Sequence, residues 1–75
     1  ESDPTAAIAW FERAANDGLA LAEFQLGLAY LQGNGVEADL PTAVRWWQRA
    51  AKQDHPRSAY LLGLCYQAGE GVEQN

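Results

Sequence analysis

The chain repeats itself at a spacing of 36 residues, and this repetition limits the possible folds more than any other feature of the sequence. When the sequence is aligned with itself at this shift, 15 of the 39 residue pairs are identical. AIAWFERAAN, which begins at Ala7, aligns with AVRWWQRAAK from Ala43, and FQLGLAYLQGNGVEAD from Phe24 aligns with YLLGLCYQAGEGVEQN from Tyr60. A fixed period of this size indicates supersecondary units stacked into a solenoid.

Each unit predicts two helices. In the first helix, apolar residues recur at helical spacing, and Asp3 followed by Pro4 is typical of a helix start. The second helix, from about Ala20, is apolar on most sides, as expected of a helix that lies between two neighbours. The pattern recurs at about 41–53 and 56–68. The interpretation is an all-α fold in one domain, residues 1–75, an α-solenoid of two stacked helix-turn-helix repeats with repeat one at about 3–38 and repeat two at about 39–75.

Two glycines lie in the stretch LQGNGVEAD, which follows the second helix and recurs as QAGEGVEQN. Glycine loops that bind phosphate follow a strand, whereas a helix is predicted before this loop, and no Lys-Ser/Thr pair follows it. The stretch is therefore interpreted as a joint between units, in which Gly33 caps the helix and Val36 folds back onto it. Within the helix, Gly27 recurs as Gly63, which predicts a place where two helices approach too closely for a side chain.

These residues resemble the Sel1-like repeats, which belong to the tetratricopeptide-repeat superfamily. The resemblance rests on WFERAA and WWQRAA in the first helices, on the pattern L-G-x-x-Y-x-x-G-x-G-V in the second helices, and on the period of 36 residues. Plain tetratricopeptide repeats favour a period of about 34 residues and lack the Gly-x-Gly-Val joint. The resemblance implies antiparallel helix pairs in a right-handed superhelix. It also implies a scaffold for protein–protein contacts, often in bacterial signalling, envelope or host-interaction proteins.

A secreted branch of the family joins each helix pair by a disulfide and is associated with β-lactam binding and hydrolysis. The cysteines of that branch would fall at Ala51 and Ala59, so this chain departs from it. The sequence also contains no Ser-x-x-Lys, the usual nucleophile arrangement of serine β-lactamases. Catalysis and cofactors are therefore not expected. A β-lactam-interacting enzyme and a structural spacer within a longer array stay as alternatives to a binding scaffold.

The composition excludes several classes of function. A net charge of −5 argues against general nucleic-acid binding, and no apolar run reaches transmembrane length.

Cys65, the only cysteine, is expected to be a small buried apolar residue, and His55, the only histidine, to face water in a turn. Loop carboxylates are expected to be solvated rather than to bind metal: Glu37, Asp39, Glu70 and Glu73. The chain begins with Glu, which suggests a piece of a longer protein, and its compartment is open between the cytoplasm and the bacterial periplasm or exterior.

Four of the five basic residues fall on one stripe of the first helices. In tetratricopeptide-type solenoids the first helix of each pair lines the concave groove, so the resemblance implies a locally basic groove. Such a groove would bind a protein or peptide that carries carboxylates, whereas the alternative is an ordinary solvated helix face. The predicted partner-binding residues are Arg13, Arg45, Gln48, Arg49, Lys52 and Trp47. Trp47 has core packing as its alternative role, because its counterpart Phe11 is also a large aromatic residue.

The remaining aromatic residues lead to two further expectations. Trp10 and Trp46 are identical at the repeat spacing, and both are expected to be buried anchors between the helices of their own units. The ends of the array carry no polar capping helix, and the last helix is rich in apolar residues: Tyr60, Leu61, Leu64 and Tyr66. Exposed apolar ends favour self-association, with a head-to-tail contact that continues the superhelix.

Overall fold

A computed structural model describes residues 3–68, and helices are the only regular secondary structure in this range. The four helices are α1, Pro4–Asn16; α2, Ala20–Gln32; α3, Leu40–Ala51; and α4, Pro56–Ala68. Each helix packs against the next along the chain, so α2 lies between α1 and α3, and these two central helices share the largest interface. The predicted helix ends agree with the structure except in α3, which ends at Ala51 because a turn begins at Lys52.

Side chains just before α1, α3 and α4 cap these helices. The Asp3 carboxylate accepts a hydrogen bond from the Thr5 N–H at 3.0 Å, and Asp39 accepts from the Thr42 N–H at 3.3 Å. His55 performs this role for α4, because its Nδ1 accepts from the Ser58 N–H at 3.2 Å. The expectation that His55 faces water is wrong, since its ring is half-buried. The position before α4 lacks a carboxylate or hydroxyl, so the imidazole nitrogen supplies the acceptor that the helix start requires.

The first joint has the conformation that its glycines predict. Gly33 ends α2 in the left-handed region with φ 70°, and Gly35 has φ 85°. Gly35 also lies against α1, where a Cβ would overlap the carbonyl group of Pro4. Val36 packs on the core of the first repeat, as predicted. The second joint, with Gly69, Gly71, Glu70 and Glu73, lies outside the described residues.

The interior consists of two clusters, one formed by α1 and α2 and the other by α2, α3 and α4. The first cluster contains Ile8, Ala15, Ala22, Leu26 and Ala29. The second contains Phe24, Ala43, Val44, Trp47, Leu62 and Cys65. The burial predicted for Cys65 is thus confirmed. Because residues of α2 contribute to both clusters, α2 is the element that joins the two repeats.

At Gly27 a side chain of α3 lies directly against the backbone of α2. The indole of Trp47 lies directly over it, so that a Cβ on Gly27 would overlap the ring. Trp47 is only 1% exposed, and its Nε1 donates to the Phe24 carbonyl at 3.3 Å. The predicted close approach is confirmed at Gly27, whereas a Cβ on Gly63 would meet no atom within 4 Å.

The expectation for the two repeated tryptophans is wrong. Trp10 is 62% exposed, and the half-buried Trp46 packs against the first cluster, which belongs to the preceding repeat. Identity at the repeat spacing therefore marks a contact between repeats and not an anchor within each one. Only Trp46 has a preceding repeat among residues 3–68, so only Trp46 has a partner surface there.

Candidate partner-binding surface

The predicted basic residues of the second repeat lie on one face of α3. Gln48 and Arg49 follow Arg45 by three and four residues, and Lys52 follows them by four and three, which places all four along one stripe of the helix and the turn after it. Arg45, Arg49 and Lys52 are exposed, and Gln48 is half-buried. We call this set the α3 stripe. The structure brings together four of the five predicted residues of the second repeat, and Trp47 is the exception.

Arg49 differs from the other cations because it is bound within the molecule. Its Nε lies 3.2 Å from a carboxylate oxygen of Glu23, and its Nη2 donates to the Ala15 carbonyl at 3.4 Å. The guanidinium also lies over the Trp46 ring, 4.7 Å from the centroid. Arg49 thus links the first helix of the second repeat to both helices of the first, and half of its side chain still faces water.

Glu23 is the partner that sequence reasoning missed. It is only 2% exposed, and its second oxygen accepts from Gln53 Nε2 at 2.9 Å. A buried carboxylate is costly unless it is paired and hydrogen-bonded, and Arg49 and Gln53 meet this requirement. The available signal was a single acidic residue in the apolar run LALAEFQLGLAY. Because Glu23 offsets the charge of Arg49, the net positive charge of the α3 stripe comes from Arg45 and Lys52.

The α3 stripe borders an open pocket of about 500 Å³ between α3 and α4. Its polar lining consists of Lys52, Gln48 and Tyr66, with a hydrogen bond of 2.9 Å from Gln48 Nε2 to the Tyr66 hydroxyl. Ala51 and Leu62 form the apolar part of the lining. The pocket therefore offers one cation, hydrogen-bonding groups and an apolar surface side by side.

Two predicted binding residues, Trp47 and Arg13, lie outside the α3 stripe. Trp47 is buried beneath the α3 stripe, so it cannot contact a partner, and the core-packing alternative is correct. Arg13 lies on α1 and borders a second pocket of about 320 Å³ with Trp10, Ala14 and Asp17. Trp47 was misplaced because an aromatic residue next to an arginine fits a binding surface and a helix interface equally well.

Comparison with known families and structures identifies the fold. The model of the Sel1 repeat family matches residues 1–19, 20–55 and 56–75. The chain belongs to the Sel1 repeat family. The central match contains α2 and α3, the two helices that share the largest interface. No curated protein matches the chain.

Two solved structures show the same arrangement of Sel1 repeats. A Sel1 repeat protein from Oxalobacter formigenes is 35% identical with a TM-score of 0.98, over 100% of this chain and 31% of that one. The protein c5321, a protective antigen of uropathogenic Escherichia coli strains with an SLR fold, is 42% identical with a TM-score of 0.93. That match covers 97% of this chain and 16% of c5321. The all-α solenoid is thereby confirmed, and the chain spans less than a third of either protein's length.

Two further properties describe residues 3–68 of these Sel1 repeats. None of the helices in this range is long and apolar enough to cross a membrane. The same residues contain no group of three or more His, Cys, Asp or Glu side chains that could hold a metal ion. The repeat boundaries, the handedness of the superhelix and the ligand of the α3 stripe stay predictions.

Proposed function

We propose that these Sel1 repeats form a non-catalytic protein-interaction module that binds an acidic segment of a partner along the α3 stripe. The observation that carries the proposal is the pocket beside Lys52, where an exposed cation adjoins the apolar surface of Ala51 and Leu62. A partner that inserts an apolar side chain there also brings a neighbouring carboxylate within reach of the ammonium group.

The positions of the unpaired cations define the spacing of the acidic groups. Arg45 and Lys52 have no ion pair among residues 3–68, whereas Arg49 is held by Glu23. They are seven residues apart, which corresponds to about 10 Å along a helix. The best ligand therefore presents two carboxylates at about this distance, with the more distant one available for paired hydrogen bonds from the Arg45 guanidinium.

Binding of labelled peptides, followed by fluorescence anisotropy, tests this proposal. The probe is a flexible peptide with two clusters of Asp and Glu that flank one leucine, and its comparison peptide has Lys in place of the acidic residues. The acidic peptide is expected to bind more tightly, and added salt to weaken its binding. Arg45→Glu and Lys52→Glu should each weaken binding about tenfold or more.

The matched control is Arg57→Glu, which makes the same change of charge at an exposed arginine of α4 that lies outside the α3 stripe and does not line the pocket. It is expected to bind the acidic peptide nearly as well as the parent chain. An equal loss of affinity in all three variants would show only general charge attraction. Preference for the basic peptide would refute the proposal.

The two alternatives from the sequence have separate tests. A β-lactam-interacting enzyme would turn over a chromogenic β-lactam or gain the mass of an acyl group, and we expect neither result. A pure spacer would show no saturable binding of the acidic peptide.

We also propose that the chain associates through the outer helices of its array. α1 and α4 each pack mainly against one described helix, and both expose large apolar side chains, including Trp10, Tyr60 and Leu64. Patches of this kind are typical of contact surfaces. Sedimentation over a concentration series tests this association: a strictly monomeric chain at the highest concentration would exclude it.

A further inference from the structure

The interface between α2 and α3 contains two adjacent seats for aromatic side chains. The first seat holds Trp46 and is formed by the first cluster, which includes Ala15 and Leu26. The second seat is Gly27, over which the Trp47 indole lies. The repeat-to-repeat contact is therefore made largely by two neighbouring aromatic residues of α3.

The surface formed by α3 and α4 carries the counterparts of both seats, and both are open. Ala51 and Leu62 correspond to Ala15 and Leu26 at the repeat spacing, and they line the open pocket of about 500 Å³. Gly63 corresponds to Gly27, and it is exposed with no atom within 4 Å of an added Cβ. The pocket is large enough for an indole ring, and the glycine leaves room for a second ring beside it.

The matching aromatic pair lies at the other end of the molecule. Trp10 and Phe11 of α1 correspond to Trp46 and Trp47, and their rings meet edge to face at 5.6 Å. Trp10 is 62% exposed, while Phe11 packs partly on its own core, as Trp47 does. The same chain thus presents an aromatic pair on α1 and the two open seats for such a pair on α4.

We propose that a second copy of this chain docks head to tail on α4, with its Trp10 in the pocket of Ala51 and Leu62 and its Phe11 over Gly63. This inference rests on the proposed association of the outer helices and names the side chains that make the contact. The contact repeats the α2–α3 interface between two molecules. Since the two surfaces differ, the contact does not close on itself, and further copies can add at both ends.

The polar part of the interface changes in a way that makes this contact more apolar. In the repeat alignment Ala59 corresponds to Glu23, and Arg13 corresponds to Arg49. The Arg13 guanidinium of the second copy therefore has no carboxylate to pair with on α4, and it stays hydrated. Phe11 has no N–H to replace the hydrogen bond from Trp47 to Phe24. The association is therefore weaker than the internal interface. Because each copy has a net charge of −5, added salt reduces the repulsion and strengthens it, opposite to its effect on acidic-peptide binding.

Two variants are each designed to block one end at an exposed position. Trp10→Ser removes the exposed aromatic ring of α1, and Gly63→Leu fills the open seat of α4 with a side chain that favours helix. Leu21→Ser is the matched control, because it removes an exposed apolar side chain from α2, outside the proposed contact. Circular dichroism confirms that each variant is folded before association is measured.

Analytical ultracentrifugation at low and high salt then decides the proposal. The parent and Leu21→Ser are expected to form oligomers that grow with concentration and with salt. Trp10→Ser and Gly63→Leu are each expected to be monomeric over the same range, with association constants lower by about tenfold or more. A mixture of these two variants is expected to form a 1:1 dimer and nothing larger, because each retains the end that the other lacks.

Several results would overturn the proposal. Oligomers of Trp10→Ser or Gly63→Leu like those of the parent would show that the chain associates through other surfaces, so the general association would stand without these seats. A parent chain that stays monomeric would refute both the general association of the outer helices and the specific contact of Trp10 and Phe11 with α4. A monomeric parent that binds a peptide with the α3 sequence would assign the α4 face to a different helix. Because the acidic peptide and Trp10 of a second copy would occupy the same pocket, the acidic-peptide test is made at a concentration at which the chain is monomeric.

Discussion

Gly27 and Gly63 occupy the same position in the two repeats, yet alanine is expected to change stability in opposite directions at the two sites. Alanine favours a helix interior over glycine by about 1 kcal/mol. At Gly63 the added Cβ meets nothing within 4 Å, so this gain is expected in full. At Gly27 the Cβ would overlap the Trp47 indole, and the ring must move.

The cost at Gly27 follows from what Trp47 loses. Overpacking of a dense core costs about 1–3 kcal/mol, and loss of the partner of a buried N–H adds about 1–3 kcal/mol. After subtraction of the helix gain, Gly27→Ala is expected to destabilise the chain by about 1–5 kcal/mol. A chain of 75 residues has a free energy of unfolding of about 4–11 kcal/mol, so this loss is a large fraction of the total.

Urea unfolding, followed by tryptophan fluorescence and far-ultraviolet circular dichroism, measures both changes. The experiments use a concentration at which the chain is monomeric, so that association does not contribute to stability. Gly63→Ala should unfold at higher urea than the parent and Gly27→Ala at lower urea, with equal m-values. If both variants shift in the same direction by similar amounts, Trp47 does not lie on Gly27 and the account of the α2–α3 interface is wrong.

Three further predictions concern single side chains. Arg49→Ala leaves the buried Glu23 carboxylate with one partner and should lower the free energy of unfolding in urea by about 2–3 kcal/mol. This loss is smaller than for breaking a fully buried ion pair, because half of the Arg49 side chain faces water. Glu23→Gln removes the buried charge and should lower the free energy of unfolding by only about 1 kcal/mol. An equal cost for both would contradict this asymmetry. Asp54→Gly should raise the melting temperature by several degrees, since φ 60° costs a non-glycine residue about 1 kcal/mol; an unchanged or lower value would contradict it. His55→Ala should lose about 1 kcal/mol through the α4 cap, whereas His55→Asn should retain most of that stability, and equal losses would exclude capping as the cause.

The helices could be predicted from the sequence because their determinants are local. Apolar periodicity, the Asp3 cap and the left-handed Gly33 all act within a few residues of the backbone that they organise. The repeat likewise identified the joint and the close approach at Gly27. These features require no knowledge of which helix lies next to which.

The errors arose where the answer depended on neighbours distant in the sequence. The repeated tryptophans look alike in sequence, but Trp46 has a preceding repeat to pack on and Trp10 has none among the described residues. Glu23 is stable in the interior only because Arg49, in the next repeat, reaches it. Part of the predicted basic surface is thus neutralised by a contact between repeats, which a helical wheel of one unit cannot reveal.

The large interface between α2 and α3 also bears on how the chain folds. These helices belong to different predicted repeats, and the joint between them, residues 33–39, is longer than the connections at 17–19 and 52–55. Each doubling of a loop's length costs only about 0.6 kcal/mol of closure entropy, so the larger α2–α3 interface outweighs this difference. The interface also contains the aromatic seats and the buried ion pair. We therefore expect the α2–α3 pair to form early in folding, with α1 and α4 the first helices to open in native-state hydrogen exchange. The cooperative unit of this solenoid is then offset by one helix from its predicted repeat.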